Sequence, residues 1–240
     1  MNKYIILLFF IFYSTLVGAV NNTELQTVIV DLNNKPSLQR GAKIFVNNCF
    51  GCHSLEYQRY VKFIDHLSLD QETIEKNLIF TTDKNGEITK IGSLMKNAVN
   101  QDHSKEAFGI MPPDLTLIAR SRGSDWLYTF LTSFYQDRTR PFGVNNKLYP
   151  NINMPHVLWW MEGVKKPLDK DLSSFKYIEI GSMTEKEYKK SVTDLVNFLT
   201  YVSEPAQLDR YKIGFWVILF LVIFSFVAFL LKIEYWKDVD

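Results

Sequence analysis

Residues 213–231 read IGFWVILFLVIFSFVAFLL, nineteen positions without a charge. A helix apolar on every face needs either a much larger protein around it or a bilayer. At ~1.5 Å rise per residue this one covers roughly the hydrocarbon thickness of a membrane. Arg210 and Lys212 stand on one side of it, Lys232 and Lys237 on the other. Trp216, Tyr235 and Trp236 lie near its ends, where amphipathic aromatics favour the headgroup level. The segment predicts a single transmembrane anchor followed by a short tail, 232–240.

The opposite end carries a different signal. Met1, Asn2 and Lys3 precede an apolar run over 4–17, and Gly18-Ala19 supply small residues. One positive charge, a short apolar stretch and a small-residue site match a secretory signal peptide, with cleavage after Ala19. Residues 20–212 are then an extracytoplasmic domain and 232–240 a cytoplasmic tail, on a single-pass protein of the inner (cytoplasmic) membrane with its domain on the periplasmic side. The basic residues support this orientation only weakly, because they are equal on the two flanks of the span. In 240 residues the formal net charge is +1, which excludes a strongly basic nucleic-acid binder. A hydrophobic fraction of 47% excludes a disordered chain.

With only 2 cysteines there is no disulfide framework, and their spacing carries the function. Cys49-Phe50-Gly51-Cys52-His53 is C-x-x-C-H, the pattern of c-type haem attachment. Two thiols on one turn reach the two vinyl groups of one porphyrin. The adjacent imidazole then lies on the haem axis as an iron ligand. A zinc site would need further cysteines. A thioredoxin-like redox pair would not need His53. Export decides in favour of one covalently bound haem c.

A protein that only transfers electrons needs a second axial ligand. The candidates are Met95, Met111, Met154, Met161 and Met183, with His66, His103 and His156. Methionine usually fills core gaps, but Met111 and Met154 each precede proline, which stiffens the chain beside a ligand. Periodicity does not choose between these two.

Upstream, 39–48 reads as a short helix with Gly41, Ala42 and Phe45 on one face. Its expected partner is 184–202. There Thr184 and Glu187 form a capping box, Tyr188, Val192, Leu195, Val196, Leu199 and Val202 make an apolar stripe, and Pro205 ends the helix. Crossed N- and C-terminal helices beside a haem are the cytochrome c arrangement. Residues 70–78 read as helical. Asn85-Gly86 between 78–82 and 87–91 suggests a small β-hairpin. Ser124 is expected to cap a helix reaching about Tyr135. The stretches 138–153 and 163–183 read as long loops. The fold class is therefore mainly α: a cytochrome c-like haem domain with long loops and a candidate small β-hairpin, plus one C-terminal transmembrane helix.

Four stretches carry a closer resemblance: CFGCHSLEYQRY at 49–60, PPDLTLIARSRGSDWLYTFL at 112–131, YPNINMPHVLW at 149–159, and the anchor. Together they resemble the cytochrome c1 family in its proteobacterial form, the haem subunit of the ubiquinol–cytochrome c oxidoreductase (bc1) complex. The resemblance implies that Met154 is the axial methionine. It also implies that Arg120 lies beside the haem propionates, where a guanidinium can pair with carboxylate in two-pronged fashion, and that Pro112 and Pro113 wall the haem edge. Tyr57 and Tyr60 read as packing residues. Unlike mitochondrial relatives, the chain has no long acidic run.

The function implied is electron transfer. The haem would accept one electron from the Rieske iron–sulfur protein and pass it to a cytochrome c, with cytochrome b as a further partner. The chain would be a subunit of an oxidoreductase, not an enzyme alone. Two alternatives stay open at this level: a haem c subunit of a terminal oxidase or other respiratory dehydrogenase, and a membrane-anchored haem sensor with a displaceable sixth ligand.

Overall fold

The computed structural model describes residues 24–83 and 85–237. The expected signal peptide and the last three residues of the tail lie outside the described residues. In chain order the elements are helix α1 (Lys35–Asn48), strand β1 (Leu55–Arg59), α2 (Lys62–Leu67), α3 (Gln71–Asn77), β2 (Leu94–Met95) and α4 (Gln101–Phe108). There follow α5 (Ile118–Arg122), α6 (Ser124–Thr132), β3 (Phe134–Gln136), β4 (Val144–Asn146), α7 (Trp159–Glu162), β5 (Gly163–Pro167), β6 (Phe175–Ile180), α8 (Glu185–Ser203) and α9 (Gln207–Tyr235). The strands pair only as antiparallel twos, β1 with β2, β3 with β4 and β5 with β6. The class is as the sequence predicts: mainly helical, with small hairpins.

The crossing of α1 and α8 organises the domain. α1 starts four residues earlier than its apolar face suggests, because Asn34 caps it by accepting from the Ser37 N–H at 3.1 Å. α8 begins at the expected capping box, with Thr184 Oγ1 accepting from Glu187 N–H and Glu187 Oε2 accepting from Thr184 N–H. At the crossing, a Cβ on Gly41 would lie 2.1 Å from the Asp194 carbonyl oxygen and 2.6 Å from Phe198 Cβ. Only glycine permits that approach. Phe45, Phe63, Phe198 and Tyr201 pack around it, all buried to 0% exposure. A polar strap closes one side: the buried Asp194 carboxylate accepts from Ser37 Oγ at 2.5 Å and from Arg40 Nε and Nη2 at 2.6 and 2.9 Å.

Four local expectations are corrected. Ser124 does not cap α6. It is the first helical residue, behind Gly123 at φ +91°, and its hydroxyl pairs with Thr200 Oγ1 at 3.1 Å. That helix stops at Thr132, since the following residues enter β3. The stretch 163–183 is largely the β5–β6 hairpin, not a loop. Gly163 and Gly181 allow its base to close: a Cβ on Gly163 would lie 2.3 Å from the Glu179 carbonyl oxygen. Tyr57 is 72% exposed and packs on nothing in the core, whereas Tyr60 is fully buried.

Two expected elements are present. Asp70 caps α3 through Thr73 N–H at 2.8 Å. The hairpin near Asn85-Gly86 closes through Asp83 N–H to Glu87 O at 2.7 Å and Thr89 N–H to Thr81 O at 3.0 Å.

α9 follows α8 after the Pro205 break. Over Asp209–Tyr235 it is long and apolar enough to cross a membrane, and its apolar side chains face outward. At ~1.5 Å per residue its 29 residues extend roughly 43 Å.

Candidate functional site

The C-x-x-C-H motif begins where α1 ends. Cys49 is the C-cap, and its carbonyl accepts from Cys52 N–H at 3.0 Å and His53 N–H at 2.9 Å. That single turn places both thiols and the imidazole at one end of the helix crossing. The thiols are free, with Cys49 buried and Cys52 half-buried. Burial, and then the neighbouring Cys52, push the Cys49 thiol up to about 12.

His53 Nδ1 lies 2.7 Å from the Pro113 carbonyl oxygen. A carbonyl can only accept, so Nδ1 carries the proton and Nε2 presents its lone pair. Burial lowers the His53 pKa against the opposing pulls of the Pro113 carbonyl and Asp114, which favours the neutral, ligating ring. The Pro113 segment is fastened in place. Leu115 N–H donates to Ser54 O at 3.0 Å, and Asp114 accepts from Glu56 N–H at 2.7 Å and Thr116 N–H at 2.9 Å. Pro113 thus serves the site through its backbone oxygen, a contribution that no side-chain pattern could announce. A cavity of about 390 Å³ lies against the motif, lined by Val46, Phe50, Gly51, Phe80 and Val99.

Most candidate sixth ligands are engaged elsewhere. Met95 and Met161 are buried in the core. His66 Nδ1 is 2.7 Å from Tyr201 Oη. His156 stacks on Phe134 at 4.8 Å and donates through Nε2 to the buried Glu162 carboxylate at 2.9 Å, which Lys165 also holds. Met183 accepts from Ser191 Oγ at 3.6 Å, and His103 is exposed on α4. Met111 and Met154 remain, both half-buried, and the residues before them approach at one point, where a Cβ on Gly109 would touch Asn153 Nδ2 at 3.4 Å. Met154 packs against the core.

Arg120 is turned toward the α8–α9 corner. Its side chain is 64% exposed and lies 4.0 Å from Glu204, which Arg210 also contacts. The guanidinium nearest the Met154 loop is instead Arg140, which bonds residues 151–153 and keeps a buried Nε–H without an acceptor among the described residues. Nothing in its surroundings in the sequence, Thr139-Arg140-Pro141, signals this role.

The donor set fits a covalently attached haem: two reduced thiols on one turn, an imidazole with Nε2 left for iron, and Met111 and Met154 as half-buried thioethers, each followed by proline. Among the described residues no cluster of three His, Cys, Asp or Glu side chains could hold a metal ion.

Fold and site define a class: a helical domain built on one C-x-x-C-H turn and carried on a single apolar C-terminal helix. Residues 26–239 match the model of the Cytochrome C1 family. A cytochrome c1 from Allochromatium vinosum is 42% identical over 249 residues, covering 100% of both chains. A Nitrosomonas europaea protein named ammonia monooxygenase gamma subunit is 38% identical, covering 90% of this chain and 89% of its own. A chain from a structure called hyperthermophilic respiratory Complex III aligns at 16% identity and a TM-score of 0.48, over 99% of this chain and 95% of that one. The chain belongs to the cytochrome c1 family, the subunits of the bc1 complex that carry haem c.

Proposed function

We propose that the chain carries one haem c, with thioethers to Cys49 and Cys52 and with His53 and Met154 as axial ligands. The haem accepts one electron from a Rieske iron–sulfur protein and gives it to a cytochrome c, beside cytochrome b. The observation that carries this reading is the 2.7 Å contact from His53 Nδ1 to the Pro113 carbonyl, which fixes the tautomer and aims Nε2 away for a metal. When bound, the haem supplies a one-electron couple. The chain supplies the rest. The α1 end presents the thiols, Pro113 orients and polarises the imidazole, and the buried aromatic core keeps water from that side.

The domain lies on the periplasmic side of the inner membrane, with 213–231 as anchor and 232–240 in the cytoplasm. The N-terminal signal pattern and the outward-facing apolar surface of α9 support this.

Paired variants test the ligand assignment. Leu matches Met in volume, so the fold should survive either change at a cost under about 1.5 kcal/mol. Met154→Leu should lose the weak near-infrared sulfur-to-iron band and lower the reduction potential, because thioether ligation raises it. Met111→Leu should retain both. The reversed pattern would overturn the assignment. Haem stain surviving on denaturing gels tests the thioethers, and co-purifying cytochrome b and Rieske subunits test the partners. Carbon monoxide binding by the reduced wild-type protein would instead favour a sensor with an open sixth site.

A further inference from the structure

One side chain reaches all three residues of the loop leading into Met154. Arg140 Nη2 donates to the Asn151 carbonyl at 2.8 Å, the Ile152 carbonyl at 3.4 Å and Asn153 Oδ1 at 3.1 Å, while Nη1 reaches Asn151 Oδ1 at 3.4 Å. These acceptors belong to the three residues that immediately precede Met154.

Arg140 is itself fixed by the tight turn between β3 and β4. Its N–H donates to Asp137 O at 3.1 Å, and its carbonyl accepts from Gly143 N–H at 3.0 Å. The Asp137 carboxylate accepts from Thr139 Oγ1 at 2.6 Å and Asn145 Nδ2 at 3.0 Å. Those bonds, with a smaller share from the Arg140 charge, hold the Asp137 carboxyl below its ordinary range, so the turn keeps its anion. From the other side Asn145 Oδ1 accepts from Asn151 N–H at 2.9 Å.

The clamped segment starts in an uncommon conformation, Asn151 at φ +64°. Non-glycine residues stay in that region when the surroundings over-determine them. Among the described residues the buried Arg140 Nε–H has no acceptor, while the two Nη groups make four contacts to a single loop.

We propose that Arg140 is a positioning residue for the axial ligand, fixing residues 151–153 so that the Met154 thioether is held against the haem iron. The inference rests on the ligand assignment given under Proposed function. A neutral thioether is a weak ligand, and it stays bound only where the chain delivers it without further ordering cost. A planar fork serves several carbonyls at once, whereas an ammonium on a flexible stem does not.

The test uses the full-length, detergent-solubilised haem protein with Arg140→Gln and Arg140→Lys. Both should keep the covalent haem stain, lose the near-infrared band in the oxidised form, and gain carbon monoxide binding in the reduced form. A haem-stained Arg140→Gln protein with the wild-type band and no carbon monoxide binding would overturn the proposal. So would full rescue by Lys, since charge alone would then suffice. If Arg140→Gln does not accumulate, Asn153→Ala removes one acceptor of the clamp and should give partial carbon monoxide binding; wild-type behaviour there overturns the proposal equally. Met154→Leu separates the two layers. If it spares the band, the ligand assignment and the clamp fall together. If it abolishes the band while Arg140→Gln does not, the clamp alone falls.

Discussion

At Gly41 a side chain would meet backbone, not another flexible side chain, so the neighbour cannot move aside cheaply. Gly41→Ala brings up to about 1 kcal/mol of helix propensity. Against this, overpacking a closed interface costs on the order of 1–3 kcal/mol. With the Asp194 carbonyl only 2.1 Å from the new Cβ, the clash should win. The expected outcome is a net loss of up to about 2 kcal/mol in denaturant melts. Gly92 is the control: nothing lies within 4 Å of its Cβ position, so Gly92→Ala should stay within about 0.5 kcal/mol. Equal melts for the two variants would mean that α1 and α8 can slide apart without loss. Because Cys49 caps α1, a shifted crossing would also displace the Cys49–His53 turn.

Among the elements, α8 concentrates the buried phenols. Tyr188 donates to the Leu131 carbonyl at 2.8 Å, and Tyr201 contacts His66 Nδ1. Burial pushes both well above the ordinary value near 10, and lifts Tyr60 to about 12. In an unfolded chain these phenols ionise near pH 10. Above that pH the unfolded state therefore binds fewer protons than the native one, and stability falls as pH rises. Below pH 10 their contribution is complete; it is lost from there through about 12 and beyond. Ultraviolet titration of the tyrosines should show an exposed set ionising reversibly and a late set ionising only with loss of helix signal. Ionisation of every tyrosine near pH 10 in the folded protein would refute the burial.

The same helix explains what the sequence could disclose. α1 and α8 are amphipathic, so their faces are written in consecutive residues, and the Thr184–Glu187 capping box marks the start of α8. The Asn34 cap of α1 precedes its apolar face and leaves that start unmarked. The β5–β6 hairpin is not legible in this way, because β6 is mostly exposed on both faces and leaves no alternation to read. Its closure depends on the meeting of Gly163 and Gly181, eighteen positions apart. At the site, Cys49, Cys52 and His53 are legible because one turn holds all three. The Pro113 carbonyl and the Arg140 fork arrive from 60 residues beyond His53 and 14 before Met154, and the Pro113, Asn151 and Ile152 acceptors are backbone oxygens that have no residue code.

Across the whole molecule, the helical domain before Pro205 and α9 share little beyond the corner at Glu204. That carboxylate faces Arg120 and contacts Arg210, whereas the apolar side chains from Ile213 onward are exposed. Outward-facing Phe215, Phe220, Phe224, Phe226 and Phe229 suit lipid or neighbouring helices, and none contributes to the domain core. Ending the chain after Arg210 keeps the Glu204 pairs and removes only surface that water would not tolerate. The shortened protein should dissolve without detergent, retain covalent haem and the near-infrared band, and melt within a few degrees of the full chain. It should also fail to assemble with cytochrome b, because the helix surface that would pack in the membrane is gone. A large drop in melting temperature or loss of haem would show that α9 supports the domain. Full assembly without α9 would show that the anchor only tethers.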